Sequence, residues 1–300
     1  MGEVAKLAHP RGVGTLRLVA TPIGNLEDVT GRALRVLRET DLLLAEDTRR
    51  TRVLLDRYAI AARPRSLHAH NEAAREREVL DALAAGRDVA LVSDAGTPLV
   101  SDPGGRLVAA VLAAGHRVEP VPGPSAVLAA LAASGLPATP FAFLGFLPRR
   151  AGERDALLRG WRGRRETLVL FESPRRLPAT LRALAAALGD RPAAVARELT
   201  KLHEEIARGS LAELAGRFAA GTRGEITIVV GGAIGAPAAA EEGEGASPAS
   251  LDARIAALAA RGRRAKEIAE ALAGETGMAK RALYARAVVA IRDLHGRTGR

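Results

Sequence analysis

The densest run of residues able to do chemistry is SDAGTPLVSDPGG, Ser93 to Gly105. Two aspartate-containing turns bracket Gly96, Thr97 and Pro98. Glycine at 96 lets a ligand come close to the main chain, and backbone N–H groups there can hold a carboxylate or a ribose oxygen. Ser101 to Pro103 is expected to open a helix, with Ser101 or Asp102 as cap and Pro103 in the first turn. VPGPSA, Val121 to Ala126, repeats the device, with Ser125 opening the next helix. On this chemistry alone two readings stand level: a ligand cradle, or two well-capped helices with nothing bound.

Three further polar turns have the same character: TPIGNLED after Ala20, EDTRRT after Ala45 and ESPRR after Phe171. Each follows an apolar, β-branched run, and such runs recur at 16–20, 42–45, 88–92, 117–121, 167–171 and 225–230. Between them, Ala73 to Ala85, Arg106 to Ala114, Ala126 to Ala133 and Arg176 to Leu188 carry apolar residues at spacings of three and four, the helical period. Alternation of this kind predicts an α/β chain with largely parallel sheets, and ligands in such sheets bind beyond the carboxyl ends of the strands. Five polar turns on that one edge favour a site over coincidence. The boundary between two α/β halves is expected near Pro122 to Pro124.

Other chemistries are disfavoured. The four lysines, Lys6, Lys201, Lys266 and Lys280, complete no G-x-x-x-x-G-K loop. No G-x-G-x-x-G follows the first strand, which argues against a Rossmann dinucleotide site. His68 and His70 lack a third ligand nearby and read as loop-holding residues rather than a metal site. The chain has no cysteine, so disulfides, thiolate zinc sites and thiol catalysis are out, which fits a reducing compartment. The first fifteen residues hold no apolar run suited to a signal peptide or membrane span, and a cytoplasmic protein is expected.

The net charge of +10 points to a polyanionic partner. Eleven Lys and Arg against five Asp and Glu place +6 of it in Leu251 to Arg300. That segment follows an acidic, small-residue linker at 236–250 that has no means of forming a core. Leu251 to Arg261, Arg264 to Ala273 and Ala279 to Leu294 read as three short helices broken at Gly262 and Gly274 to Gly277, a helix-turn-helix-like unit. Ala256, Leu258, Ile268, Leu272, Leu283, Val288 and Ile291 offer it a small core. An arginine-rich face suits RNA phosphates, with dimerisation as the competing use.

The ordered strings VATPIGNLEDVT, LLLAEDTRRT, LHAHNE, ALVSDAGTPLVSDPGG, VPGPSA, ASGLP, FLGFLPRR, FESPRRL, ARELTKLHEE and RGEITIVV span Val19 to Val230. Together they resemble the ribosomal RNA small subunit methyltransferase I family, the 16S rRNA cytidine-2′-O-methyltransferase branch of the tetrapyrrole (corrin/porphyrin) methylase superfamily. The basic C-terminal module resembles the helical extension of this branch.

The resemblance implies a two-domain tetrapyrrole-methylase-like fold, a class III methyltransferase, with residues 1–122 and 123–235 as its two α/β domains and 251–300 as the appended module. It implies S-adenosylmethionine bound in a bent form between the two halves, and methylation of a cytidine ribose in the decoding centre. The superfamily's cofactor-binding positions match Pro22, Ala95, Gly96, Thr97, Val100, Ser125 and Ala126, then Glu172 and Leu199 in the second half. Its catalytic acid matches Asp47, expected here as the base that removes the ribose proton. Asp47 lies beside Glu46, and repulsion between like charges is expected to raise one of the two pKa values. The competing role for Asp47 is to cap the helix starting at Thr48. Arg49, Arg50 and Arg52 are then RNA phosphate contacts. Arg175 stands where the branch usually has His. The implied partners are 16S rRNA or the small ribosomal subunit and a second copy of the chain, without metal or membrane. The alternatives are methylation of a tetrapyrrole or other small molecule, and a non-enzymatic nucleic-acid-binding regulator.

Overall fold

The computed structural model describes residues 14–68, 71–233, 248–276 and 280–297, and it divides into two compact units, Met1–Ala236 and Pro237–Arg300. His70 and nearly all of the 236–250 stretch lie outside the described residues.

The first sheet contains β1 (Thr15–Val19), β2 (Leu42–Ala45), β3 (Pro64–Ser66), β4 (Val89–Val92) and β5 (Arg117–Val121), ordered β3-β2-β4-β1-β5. Every pairing is parallel. The crossovers carry α1 (Gly31–Glu39), α2 (Thr48–Arg57), α3 (Glu72–Ala84) and α4 (Gly105–Ala113). The run LLLA in β2 shows why this sheet is so apolar. Leu43 and Ala45 join a core with Val36, Leu37, Leu54 and Leu55, while Leu42 and Leu44 join another with Val79, Leu83, Leu107 and Val111. Helices cover both faces, so both sets of alternating residues must be apolar.

At Val121 the chain leaves this sheet, and α5 (Ala126–Ser134) packs on the second. That sheet has β6 (Phe141–Phe146), β7 (Thr167–Glu172), β8 (Pro192–Arg197), β9 (Glu205–Ser210) and β10 (Ile226–Val230), ordered β6-β7-β10-β8-β9. The helices α6 (Ala151–Arg159), α7 (Leu177–Leu188) and α8 (Leu211–Arg217) cover its other face.

The expectation of largely parallel sheets fails here. Only β6 and β7 pair in parallel; β7–β10, β10–β8 and β8–β9 are antiparallel. Ile228 faces the α6–α8 core and Val229 faces α5, so β10 is buried on both faces. A strand buried on both faces is an unbroken apolar run in either orientation, and its composition does not reveal direction.

The helix expected to open at Ser101 to Pro103 instead begins at Gly105. Its cap is Gly104 at φ 114°, which has no side chain to cap with. Ser125 does cap α5, accepting from Leu128 N at 3.5 Å.

In the second unit α9 (Pro248–Ala260), α10 (Ala265–Thr276) and α11 (Lys280–Arg297) enclose Leu251, Ile255, Ile268, Ala269, Leu272, Leu283 and Ala287. Two expected core residues face outward: Ala256 is exposed and Val288 is 43% exposed. Ile255 and Ala287, each one residue earlier, take the inward positions. Gly262, at φ 76°, turns α9 into α10, whereas α10 runs on through Gly274.

The aromatic residues with polar edges are few. Trp161, the only tryptophan, packs against the α6–α8 core with the Arg164 guanidinium 4.7 Å from its ring centre. Tyr58 ends α2 and donates its hydroxyl to Leu26 O at 2.8 Å. Tyr284 is half-exposed on α11.

Candidate functional site

The loops leaving β1, β2, β4 and β5 meet at the carboxyl edge of the first sheet. Thr21 and Gly96 form a two-way bridge there, N to O at 2.9 Å and 3.0 Å. The Gly96 N–H is therefore spent within the protein and is not free for a ligand. Glycine is required at 96 by its φ of 76°, since an added Cβ would lie 3.4 Å from Ile23 Cγ2, an ordinary contact.

The first loop also reaches the second half of the unit. Asn25 N donates to Thr200 Oγ1 at 2.9 Å. A Cβ on Gly24 would stand 2.8 Å from Leu199 O and 2.7 Å from Thr200 Oγ1, so the approach is possible only without a side chain. Across the contact, Glu198 and Thr200 both hold positive φ, at 51° and 64°. Glu198 Oε1 fixes that turn by accepting from Lys201 Nζ and Glu225 N, each at 2.9 Å.

Between these loops and the second sheet lies a cavity of about 390 Å³. Ala95, Gly96, Thr97 and Val100 form one wall, and Ser125 and Ala126 bring in the start of α5. Glu172 and Leu199 line it from the second half, with the exposed Phe146 and its neighbour Phe171, whose ring centres are 5.7 Å apart. Pro22 lines a second, adjoining cavity of about 190 Å³, which shares Ile23, Arg50, Asp94, Ala95 and Glu225 with the first. The sequence-derived cofactor positions are thus brought together, eight around the larger cavity and Pro22 next door.

Glu172 has a second occupation. It is 3% exposed, and its carboxylate accepts from Ser173 N at 2.7 Å and from the Thr180 hydroxyl at 2.6 Å. It holds the ESPRR turn in the cavity wall. Arg175 in that turn is exposed and lines neither cavity.

Glu46 and Asp47 behave differently from the expectation of mutual repulsion. Burial, then Asp102 and Asp94, push Glu46 above its ordinary value, and Asp47 is not among the causes. Asp47 is lowered to about 2 by the Arg49 side chain and by backbone N–H groups. Its carboxylate caps α2 through Arg49 N at 2.8 Å and takes the Arg49 guanidinium at 2.9 Å. Asp47 lines neither cavity.

The arginine trio separates in the same way. Arg49 is held by Asp47, and Arg52 donates to Ala62 O at 3.3 Å. Arg50 lines both cavities, with Nε 3.6 Å from Asp94 Oδ2.

Sequence reasoning did not single out Asp94 and Asp102. Burial, with Asp94 adding to it, holds Asp102 above the ordinary carboxylate range, while the Ser93 hydroxyl pulls the other way. The signal was present in the paired aspartates of SDAGTPLVSDPGG, but there they were read as turn and cap residues. Among the described residues, no three His, Asp or Glu are placed to hold a metal ion, and no helix is long and apolar enough to cross a membrane.

Residues 15–215 match the model of the tetrapyrrole (corrin/porphyrin) methylases. The chain is 49% identical to a ribosomal RNA small subunit methyltransferase I from Mesorhizobium japonicum, over 94% of this chain and 93% of that one. A protein of the same name from Thermotoga maritima is also 49% identical, with 73% of this chain covering 99% of the relative. Among solved structures, uroporphyrin-III C-methyltransferase from Thermus thermophilus complexed with S-adenyl homocysteine superposes with a TM-score of 0.52 at 25% identity, over 72% of this chain and 97% of that one.

Proposed function

Because the chain belongs to the ribosomal RNA small subunit methyltransferase I family of the tetrapyrrole methylases, we propose that it methylates the 2′-hydroxyl of a cytidine ribose in 16S rRNA, with S-adenosylmethionine as donor. The observation that supports this reading is the cavity at the carboxyl edge of the parallel sheet, lined by eight of the residues that the resemblance assigns to the cofactor.

The residues present suit that donor. Ala95, Gly96, Ala126 and Ala196 leave room along the wall, and Phe146 and Phe171 offer flat apolar surface to a purine. Asp94, Asp102 and Glu225 line the cavity with negative charge, which favours a cationic ligand. When bound, S-adenosylmethionine supplies an electrophilic methyl group. The protein's share is alignment: holding acceptor oxygen and methyl carbon in line between two halves is worth several orders of magnitude in rate.

Arg50, at the wall between the two cavities, is placed to meet an RNA phosphate near the reacting ribose. The basic helical module adds sequence-independent attraction for the phosphate backbone. A cytoplasmic homodimer acting on 16S rRNA or the small subunit is the assembly that accompanies this reading.

The test is mass spectrometry of nucleosides from 16S rRNA and from intact small subunits, after incubation with protein and cofactor. The expected product is 2′-O-methylcytidine. Methyl transfer to a corrinoid but not to either RNA substrate would overturn the proposal.

A further inference from the structure

The function above requires a proton acceptor, and the cavity contains four carboxylates: Asp94, Asp102, Glu172 and Glu225. Three are engaged. Both oxygens of Glu172 accept hydrogen bonds from its own turn and from Thr180. Asp94 accepts Asp47 N at 2.8 Å through one oxygen and faces Arg50 Nε at 3.6 Å with the other. Glu225 is 59% exposed and holds Lys201 Nζ at 3.0 Å. Asp47, outside the cavity, is bound to Arg49.

Asp102 differs. Among the described residues no cation sits on its carboxylate, and the nearby Ser93, a buried residue whose hydroxyl donates to Ala95 O at 3.4 Å, favours its charged form. The backbone that presents it is forced: Leu99 and Ser101 both have positive φ, at 72° and 73°, a conformation residues with a Cβ rarely adopt. The other half supports the strained loop, since a Cβ on Gly145 in β6 would stand only 3.2 Å from Ser101 Oγ. Non-glycine residues held this way persist where surrounding structure over-determines them, often beside reacting groups.

Resting on the function proposed above, we propose that Asp102 is the general base that takes the ribose 2′-hydroxyl proton. The O–H bond breaks as the proton passes to a carboxylate oxygen of Asp102. The ribose oxygen pair bonds to the donor's methyl carbon, and the carbon–sulfur bond breaks with its pair kept by sulfur. Asp102 then returns the proton to solvent. The charged groups around it are Asp94 and Glu46, which raise its basicity or share its burial, and Arg50 on the same cavity wall. Glu172 and Glu225 line the cavity from the second half.

The experiment uses the full chain with small ribosomal subunits, comparing the parent with Asp102→Asn, Asp47→Asn and Ser93→Ala. Single-turnover formation of 2′-O-methylcytidine is followed across pH, with S-adenosylhomocysteine affinity by calorimetry. Asp102→Asn should lose about 10²-fold or more in rate, while its affinity stays within about threefold of the parent. The parent rate should fall as pH drops through a pKa above the ordinary carboxylate range. Ser93→Ala removes the hydroxyl that favours the charged form, so it should move that limb to higher pH. It also keeps the test decisive if Asp102→Asn does not fold. Equal losses of rate and affinity in Asp102→Asn would make Asp102 a cofactor anchor and overturn the proposal. So would an unmoved limb in Ser93→Ala, or loss of rate confined to Asp47→Asn. A parent that methylates no cytidine ribose rejects the function itself, and the base assignment with it.

Discussion

Glu46 and Asp47 are neighbours in sequence with opposite shifts. Glu46, raised by burial and by Asp102 and Asp94, is harder to ionise folded than unfolded. A raised carboxylate favours the fold only at low pH and weakens it above its folded pKa. Glu46→Gln should therefore raise the thermal midpoint at neutral pH, and the gain should vanish towards pH 4 and below; an equal gain at every pH would mean that packing, not charge, is responsible. Asp47 has the reverse sign: its stabilisation is present above the unfolded value and lost as pH falls towards about 2. Because its partner Arg49 is exposed, the pair should respond to salt. At Gly96 the obstacle is conformational. Gly96→Val should destabilise the chain by at least about 1–2 kcal/mol, the cost of a left-handed L-residue, and weaken cofactor binding, with denaturant melts and calorimetry as the two readouts.

At the scale of elements, the loop after β1 and the turn after β8 touch beside the cavity. Gly24→Ala would drive a methyl into the Leu199 carbonyl, and cofactor affinity should drop by roughly tenfold or more, about 1.4 kcal/mol. Unchanged affinity would show that the two turns can part without cost.

This contact was not legible in the sequence, because it joins residues about 175 positions apart and nothing in TPIGN names its partner. The helices α3, α4, α5 and α7 were legible to within a residue at each end, since their apolar spacing is local. Strands β6, β8 and β9 were not. PAAVAR in β8 is rich in alanine, and EIARGS in β9 is a polar edge strand, so neither carries the β-branched signature. The strings that line the cavity were readable. Which carboxylate in that cavity stands without a cation was not, because that depends on what each one meets in space.

At the scale of the molecule, two units divide the chain, and residues 251–300, all in the smaller one, carry +6 of the net +10. Removing Glu241 to Arg300 should leave cofactor binding within about twofold. RNA binding should weaken and depend less steeply on salt, because fewer counterions are released. If RNA affinity and salt slope persist while sedimentation shows a smaller oligomer, the helices serve dimerisation instead.

The scarcity of aromatic side chains has its own consequence. Tyr58 belongs to the parallel-sheet half, Trp161 to the antiparallel half and Tyr284 to the helical unit, and no other tyrosine or tryptophan is present. The unmodified protein thus carries a single tyrosine or tryptophan in each folded part. Selective excitation of the indole should report melting of the antiparallel half alone, and its emission should respond little to a ligand in the cavity, which it does not line. In the chain shortened after residue 240, the remaining phenol is that of Tyr58. Its fluorescence then follows the parallel-sheet half, so the order in which the two halves open can be timed without a label.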